Sequence, residues 1–333
     1  MGALEIGQAV LRHITRDKNT LYVICPFNIG DFIVNGGLCY ALLKKKRKPS
    51  CVLIVLDRFA NCGINFVGVS KIQCIPQILM ECVCHYIYST GEYETDNYIY
   101  GHFRAGLLAD GKRNFIWTDS LKFTDRYRVD VFGLPLDTEL LPPIINPITD
   151  AQKQRLHETY VPDKKRTIIL APYSSSADSL GEMFWAELVA ELARKNEYVF
   201  YTNVAAPNEK VIPGTAPMTT TFPELMYVAE NVNCFIGMRS GLFDLLTLTN
   251  ARLLYVNKNI FYWHAYDLDI NFNHTNGRAF YLADNSERSI IQAFMARNNV
   301  NSVDDLLIYD HVKGADIAFD AESLLKKIVD SVD

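Results

Sequence analysis

Short apolar segments without polar interruptions recur along this chain, and several of them are followed by a polar turn and a helical pattern. Such segments occupy residues 21–25, 52–56, 167–171, 234–238 and 252–256. A strand that is apolar on both faces is typical of a parallel sheet covered by helices on each side. The alternation of these strands with helical segments therefore predicts an α/β protein built from βαβ units.

The apolar segments fall into two groups, which a proline-rich stretch without a helical period separates. The chain of 333 residues is long enough for two domains of about 150 residues each. We therefore expect an N-terminal domain at 1–140, a linker at 141–149 and a C-terminal domain at 150–333. The last helix is expected to pack back on the N-terminal domain. A cleft between two such domains is a common place for a ligand site.

Periodicity and the positions of proline and glycine predict the remaining elements. Helices are expected at residues 4–16, 33–43, 77–88, 120–132, 150–160, 183–195, 223–231, 287–297 and 321–332. Further strands are expected at residues 66–69, 72–75, 115–117, 198–201, 218–221 and 279–283. The stretch 89–114 is polar and aromatic and contains glycine, so we expect a binding loop there.

The charge and the cysteines limit the classes of partner and compartment. A net charge of −5 argues against a general nucleic-acid-binding protein, which needs a basic face. The cysteines contain no CxxC pair, so we expect free thiols in a reducing cytoplasm and no metal site. Neither a signal-peptide core nor an apolar run long enough to span a membrane is found. The basic residues at 44–48 indicate either a solvated helix end or contact with an anionic membrane surface.

A strand at 234–238 leads into a helix through the turn formed by Arg239, Ser240 and Gly241. Backbone N–H groups at the start of a helix carry partial positive charge and suit a phosphate. Arg239 adds a planar fork of hydrogen-bond donors. The turn therefore predicts a diphosphate site, and the alternative is an ordinary β-α turn with Ser240 as the helix N-cap.

Asp31 follows the first strand in the sequence FNIGDF, where Gly30 allows a tight turn. A carboxylate at this strand end can act as a general base, and it can equally cap the following helix. His102 and Arg104 lie in the expected binding loop. They suit an anionic acceptor, and the alternative is a surface loop.

Two hydroxyl-rich segments of the second half each lead into a predicted helix. The first contains Ser174, Ser175 and Ser176, which suit phosphate or ribose oxygens, and the alternative is a solvated loop. The second contains Thr220 and Thr221, which suit a nucleotide pocket, and the alternative is an edge strand. The chain has no Gly-x-Gly-x-x-Gly, Walker or HExxH motif, which disfavours dehydrogenases, P-loop kinases and zinc hydrolases.

Four segments, in their order along the chain, resemble the GT-B glycosyltransferases, and within them the ADP-heptose:lipopolysaccharide heptosyltransferase-like family. The resemblance rests on residues 28–31, 124–134, 168–193 and 223–256. It implies two Rossmann-like domains facing across a cleft, with Asp31 as the catalytic base. Combining the resemblance with the residues singled out above, we expect the acceptor site to contain Asn28, Gly30, His102 and Arg104. The donor site is expected to contain Arg239, Ser240, Gly241, Asp244, Ser174, Ser175, Ser176, Thr220 and Thr221.

Two positions depart from the family motif Asp-Ser-Gly-x-x-His, since Arg239 replaces its Asp and Asp244 replaces its His. A lysine that the family often carries in a loop of the second domain is also missing. The resemblance therefore does not imply ADP-heptose as the donor, and other nucleotide sugars remain open.

The resemblance implies an inverting, metal-independent transferase without a cofactor. It would move a sugar from a nucleotide-diphosphate donor to a glycan or lipid-linked glycan, in bacterial surface polysaccharide or lipopolysaccharide synthesis. Such an enzyme would be cytoplasmic, with or without contact with the inner face of the membrane. The alternatives are a nucleotide-sugar epimerase or hydrolase of the same architecture, and a non-catalytic nucleotide-sugar or glycan-binding protein. The oligomeric state is open.

Overall fold

The computed structural model describes residues 2–102, 106–107, 113–114, 123–174, 180–257, 277–281 and 321–332. The chain divides into two compact units, Met1–Asn146 and Pro147–Asp333. The division falls inside the stretch that the sequence predicts as a linker.

The first unit is built on a parallel sheet with helices between its strands. Its described strands are β1 (Thr20–Ile24), β2 (Ser50–Leu56), β3 (Ile64–Asn65), β4 (Val69–Ile75), β5 (Tyr98–Tyr100), β6 (Gly106–Leu107), β7 (Arg113–Asn114) and β8 (Ile144–Ile145). Its described helices are α1 (Ala3–Ile14), α2 (Ile29–Lys46), α3 (Gln77–Thr90) and α4 (Phe123–Arg126), which continues as a π-helical turn at Tyr127–Val131. The main sheet has the order β4-β2-β1-β5, with all neighbours parallel.

The second unit repeats this design on a larger sheet. Its described strands are β9 (Thr167–Ala171), β10 (Val199–Asn203), β11 (Ala216–Met218), β12 (Cys234–Met238), β13 (Leu253–Asn257) and β14 (Gly277–Tyr281). Its described helices are α5 (Asp150–Tyr160), α6 (Glu182–Lys195), α7 (Phe222–Glu230), α8 (Gly241–Leu246) and α9 (Ala321–Val332). The order β11-β10-β9-β12-β13-β14 with parallel neighbours is the 3-2-1-4-5-6 order of Rossmann folds.

The continuous apolar strands are buried as their composition requires. All five residues of β1, β9 and β12 are buried. In the second unit one apolar cluster lies on each face of the sheet, since alternate side chains of β9 belong to different clusters. The predicted α/β class with parallel sheets is therefore confirmed.

The last helix belongs to the core of the second unit. Helix α9 packs against α6, where Leu324, Ile328 and Val332 join the apolar cluster around Trp185. The guanidinium of Arg252 also donates to the carbonyl oxygen of Val332 over 2.7 Å. The amphipathic helix therefore covers one face of its own sheet.

Several element boundaries differ from the sequence prediction. Helix α2 begins at Ile29 rather than residue 33, and residues 69–75 form the single strand β4. The expected binding loop contains β5, which pairs with β1 through tyrosine and isoleucine residues. The strand expected at 115–117 and the helix expected at 287–297 lie outside the described residues.

Candidate active site

In each sheet the order of the strands creates one crevice, which lies at the carboxyl ends of neighbouring strands. In the first unit the chain leaves β1 towards β2 on one side and returns to β5 on the other, and β9 and β12 have the same relation in the second unit. Ligands of open α/β sheets bind outside the carboxyl ends of the strands at this switch point. The segments there are 25–31 and 101–102 in the first unit, and 172–174 and 239–241 in the second.

Asp31 is the third residue of α2, and the residue is 9% exposed. Its Oδ2 accepts a hydrogen bond from the backbone N–H of Asn28 over 3.1 Å, so Asn28, not Asp31, is the N-cap residue. Its Oδ1 accepts a hydrogen bond from the phenol of Tyr127. One oxygen therefore closes a capping box, while the other lies beside a buried phenol.

His102 follows β5 and lies beside the same carboxylate. Its Nε2 is 4.0 Å from Oδ1 of Asp31, and its ring centroid is 4.1 Å from that of Phe27. This spacing is too long for a hydrogen bond, but it admits a hydroxyl oxygen at about 2.8 Å from each of the two atoms. The fold thus brings together two side chains that are far apart in sequence.

Asn35 links the backbone at Asp31 to the backbone just before His102. It is fully buried, and its Nδ2 donates to the carbonyl oxygens of Asp31 over 2.7 Å and Gly101 over 2.9 Å. Gly101 approaches so closely that a Cβ there would lie 1.9 Å from Oδ1 of Asn35 and 3.0 Å from the carbonyl oxygen of Ile24. The glycine before His102 is therefore required by packing.

Replacing Gly101 with alanine is expected to destabilise the first unit by about 1–3 kcal/mol, because the added methyl group overlaps Asn35. Urea unfolding of Gly101→Ala measures this loss. The control is a double-mutant cycle with Asn35→Ala, which removes the clashing atom. In that background Gly101→Ala should cost clearly less, and equal costs in both backgrounds would contradict the proposed overlap.

Two further groups surround Asp31 and were not singled out from the sequence. Burial, and secondarily the charge of Asp31, raises the pKa of the Cys25 thiol well above its usual value, so the thiol stays neutral. Arg58 donates to the carbonyl oxygen of Phe27 over 3.0 Å and to Oδ1 of Asn28 over 2.8 Å. The sequence signal for Arg58 is its position two residues after the end of β2, at the same sheet edge.

In the second unit Arg239 and Asp244 form a buried ion pair. The guanidinium approaches the carboxylate through both nitrogens, at 2.7 Å to Oδ1 and 3.2 Å to Oδ2. It also donates to the carbonyl oxygen of Ser240 over 2.7 Å. Arg239 is 8% exposed and Asp244 is 2% exposed. The hydrogen bond to Oδ2 and the ionic contact to Oδ1 hold the guanidinium at the carboxyl end of β12.

This pair joins the two positions that depart from the family motif. Because Arg239 and Asp244 contact each other, the two departures lie within one interacting pair. Ser240 is the residue before α8 and is half-buried, yet its side chain makes no capping hydrogen bond.

The other donor-side residues differ in their surroundings. Thr221 is the N-cap of α7, where its backbone N–H donates to Oε2 of Glu224 over 2.9 Å. Glu224 is in turn paired with Arg155. Thr220 is half-buried, and its Oγ1 has no partner among the described residues. Ser174 is half-buried after β9.

Three predicted site residues lie outside the described residues, namely Ser175, Ser176 and Arg104. Gly241, the first residue of α8, is half-buried, and Gly30 is buried in α2.

The structure also bears on metals, thiols and membranes. Within the described ranges, no three His, Cys, Asp or Glu residues gather as metal ligands would. Every cysteine of the chain is a free thiol, as expected. No helix in the part of the chain that the structure describes combines the length and apolarity needed to cross a bilayer.

In the basic segment at 44–48, Lys45 binds the carbonyl oxygens of Phe132 and Gly133, which favours a structural role for this lysine.

The chain is similar to known proteins at the level of three-dimensional structure. No family model and no curated protein sequence matches the chain. A glycosyl transferase of family 9 from Veillonella parvula is similar with a TM-score of 0.53 and 10% identity, covering 95% of this chain and 97% of that one. ADP-heptose lipopolysaccharide heptosyltransferase II from Escherichia coli gives a TM-score of 0.50 and 15% identity, covering 84% and 99%.

The iron-containing dodecameric glycosyltransferase TibC from enterotoxigenic Escherichia coli gives a TM-score of 0.54 and 11% identity, covering 94% of this chain and 78% of that one. At these identities the similarity concerns the fold. The chain therefore has the GT-B fold of these glycosyltransferases, as its sequence resemblance implies.

Proposed function

We propose that the protein is a glycosyltransferase that moves a sugar from a nucleotide-diphosphate donor to a glycan acceptor. One observation carries the proposal. Each sheet of a GT-B fold gathers charged side chains at its own switch point, Asp31 with His102 in one unit and Arg239 with Asp244 in the other. Ligand sites of α/β folds lie at these points, and a sugar transfer needs both a base and a group that neutralises the leaving diphosphate.

The second unit is proposed to bind the donor. Arg239 would face the diphosphate together with the backbone N–H groups of Ser240 and Gly241, and Asp244 would hold the guanidinium in place. Negative charge develops on the leaving diphosphate in the transition state, and fixed donors stabilise that charge most effectively. Ser174, Thr220 and the neighbouring serines at 175–176 would line the nucleotide.

The first unit is proposed to bind the acceptor. An acceptor hydroxyl would lie between Oδ1 of Asp31 and Nε2 of His102, which are 4.0 Å apart. As the hydroxyl oxygen attacks the anomeric carbon, its proton passes to Asp31 and the bond from that carbon to the diphosphate breaks. Attack from the face opposite the diphosphate inverts the configuration. Asn28, Gly30 and Arg104 would complete the acceptor site.

Arg239 and the turn supply positive charge that many transferases take from a metal, so we propose a metal-independent reaction without a cofactor. Escherichia coli heptosyltransferase II is named for ADP-heptose. The pair Arg239–Asp244, which departs from the family motif, lies where the donor would bind, so the donor is proposed only as a nucleotide-diphosphate sugar. A glycan of the bacterial surface, made in the cytoplasm or at the inner membrane face, is the proposed context.

One class of nucleotide sugar is expected to raise the melting temperature of the protein, because a ligand that binds only the folded state stabilises it. At about 100 times its Kd such a donor adds about 2.7 kcal/mol, which corresponds to a rise of roughly 5–10 °C. Thermal-shift measurements with ADP-, UDP-, GDP-, CMP- and dTDP-sugars test this, with the free sugars as controls. The exposed-arginine variant Arg166→Gln should keep the shift. If no nucleotide sugar shifts the transition, the proposed function is wrong.

Product analysis separates the transferase from its alternatives. A transferase releases the nucleoside diphosphate faster when a glycan acceptor is present. An epimerase or hydrolase changes the donor without an acceptor, and a binding protein leaves it intact.

A further inference from the structure

Tyr127 lies against Asp31 although the two residues are 96 positions apart in sequence. Its side chain is fully buried, and its phenol oxygen donates to Oδ1 of Asp31. The ring packs edge-on against Phe123 at 5.1 Å and lies 6.4 Å from the ring of His102. A buried phenol is costly without a hydrogen-bond partner, so this contact has a physical reason.

The backbone that carries Tyr127 is unusual. The residue opens the π-helical turn Tyr127–Val131, and such turns are rare and frequently lie at functional sites. The end of this turn is tied to α2, because Nζ of Lys45 donates to the carbonyl oxygens of Phe132 over 2.7 Å and Gly133 over 2.9 Å. Helix α2 therefore holds the segment at both Lys45 and Asp31.

The hydrogen bonds that the described residues make to Asp31 leave one lone pair of Oδ1 unused. Oδ2 is used by the backbone N–H of Asn28, and Tyr127 takes one of the two lone pairs of Oδ1. Around them lie the neutral thiol of Cys25, the imidazole of His102, and Arg58, which binds the side chain of Asn28. The second lone pair of Oδ1 is the position that an incoming hydroxyl would use.

We infer that Tyr127 is a positioning residue for Asp31, which fixes the carboxylate so that Oδ1 keeps one lone pair directed to the acceptor hydroxyl. This inference rests on the proposed function, because it assumes that Asp31 accepts the proton. A base that can rotate loses the alignment that a positioned base provides, and misplacement by about 1 Å costs on the order of 100-fold in rate.

The test compares Tyr127→Phe with the matched control Tyr98→Phe, which removes another buried phenol of the first unit, one that donates to the carbonyl oxygen of Glu92. Kinetics use release of nucleoside diphosphate from the nucleotide sugar that gives the largest thermal shift. Tyr127→Phe is expected to lower kcat roughly 10- to 100-fold with the donor KM unchanged. Tyr98→Phe should leave both constants unchanged.

The decisive comparison uses the Asp31→Asn background. A positioning role predicts that Tyr127→Phe has no further effect there, whereas a merely structural role lowers the rate equally in both backgrounds and would overturn the inference. NMR of the free protein, with aspartate labelled at its side-chain carboxyl carbon, adds a readout that needs no substrate. Tyr127→Phe should move the carboxyl-carbon resonance of Asp31. An unmoved resonance overturns the inference by itself, whereas full activity of Asp31→Asn overturns the proposed base.

Discussion

Replacing Asp31 with asparagine is expected to lower the rate of sugar transfer by about 100- to 10,000-fold, the usual contribution of a positioned general base. The amide has the shape of the carboxylate, and its oxygen can still accept the hydrogen bond that the backbone N–H of Asn28 donates over 3.1 Å. It cannot accept a proton from the acceptor hydroxyl. The fold and the capping box are therefore kept while the chemistry is lost.

The donor-induced thermal shift should survive in Asp31→Asn, because the proposed donor residues belong to the second unit. The control is Asp130→Asn, which changes an exposed carboxylate of the same unit and should leave transfer unchanged. Rates are measured with saturating donor and a glycan acceptor. If Asp31→Asn transfers sugar as fast as the unmodified protein, the carboxylate acts in capping only.

The strands could be predicted because a strand that is buried on both faces consists of consecutive apolar residues. The buried segments 167–171 and 234–238 coincide with β9 and β12. Strand β5 was missed because its three residues lie in a polar and aromatic stretch, and its burial depends on pairing with β1. Helix α2 begins four residues earlier than predicted, since Gly30 and Asp31 look like a turn until the capping box with Asn28 is seen.

Asp31, His102, Arg239 and Asp244 could be singled out from the sequence, whereas their contacts could not. Asp31 and His102 follow different strands, and only the sheet order makes those strands neighbours. Arg239 and Asp244 were both singled out, but their ion pair depends on the exact path of the turn. Tyr127 could not be singled out from the sequence. It lies within a predicted helix, and its contact with Asp31 joins residues that are distant in sequence.

Replacing Asp244 with alanine is expected to cost about 3–5 kcal/mol of stability, because it removes a buried carboxylate that is paired with the buried guanidinium of Arg239. Arg239 is 8% exposed and its guanidinium nitrogen lies 2.7 Å from Oδ1 of Asp244, so water replaces the lost carboxylate poorly. The same variant should lose the donor-induced thermal shift, since the carboxylate no longer holds the guanidinium at the carboxyl end of β12. Urea unfolding measures the first effect and the nucleotide-sugar screen measures the second.

A double variant separates stability from binding. Arg239→Met combined with Asp244→Leu removes both charges and fills the site with apolar groups, which often restores stability after loss of a buried ion pair. We expect this variant to unfold at nearly the same urea concentration as the unmodified protein and yet to show no donor-induced shift. If the shift persists, the turn after β12 does not bind the diphosphate. If it disappears while stability returns, the Arg239–Asp244 pair serves donor binding rather than folding.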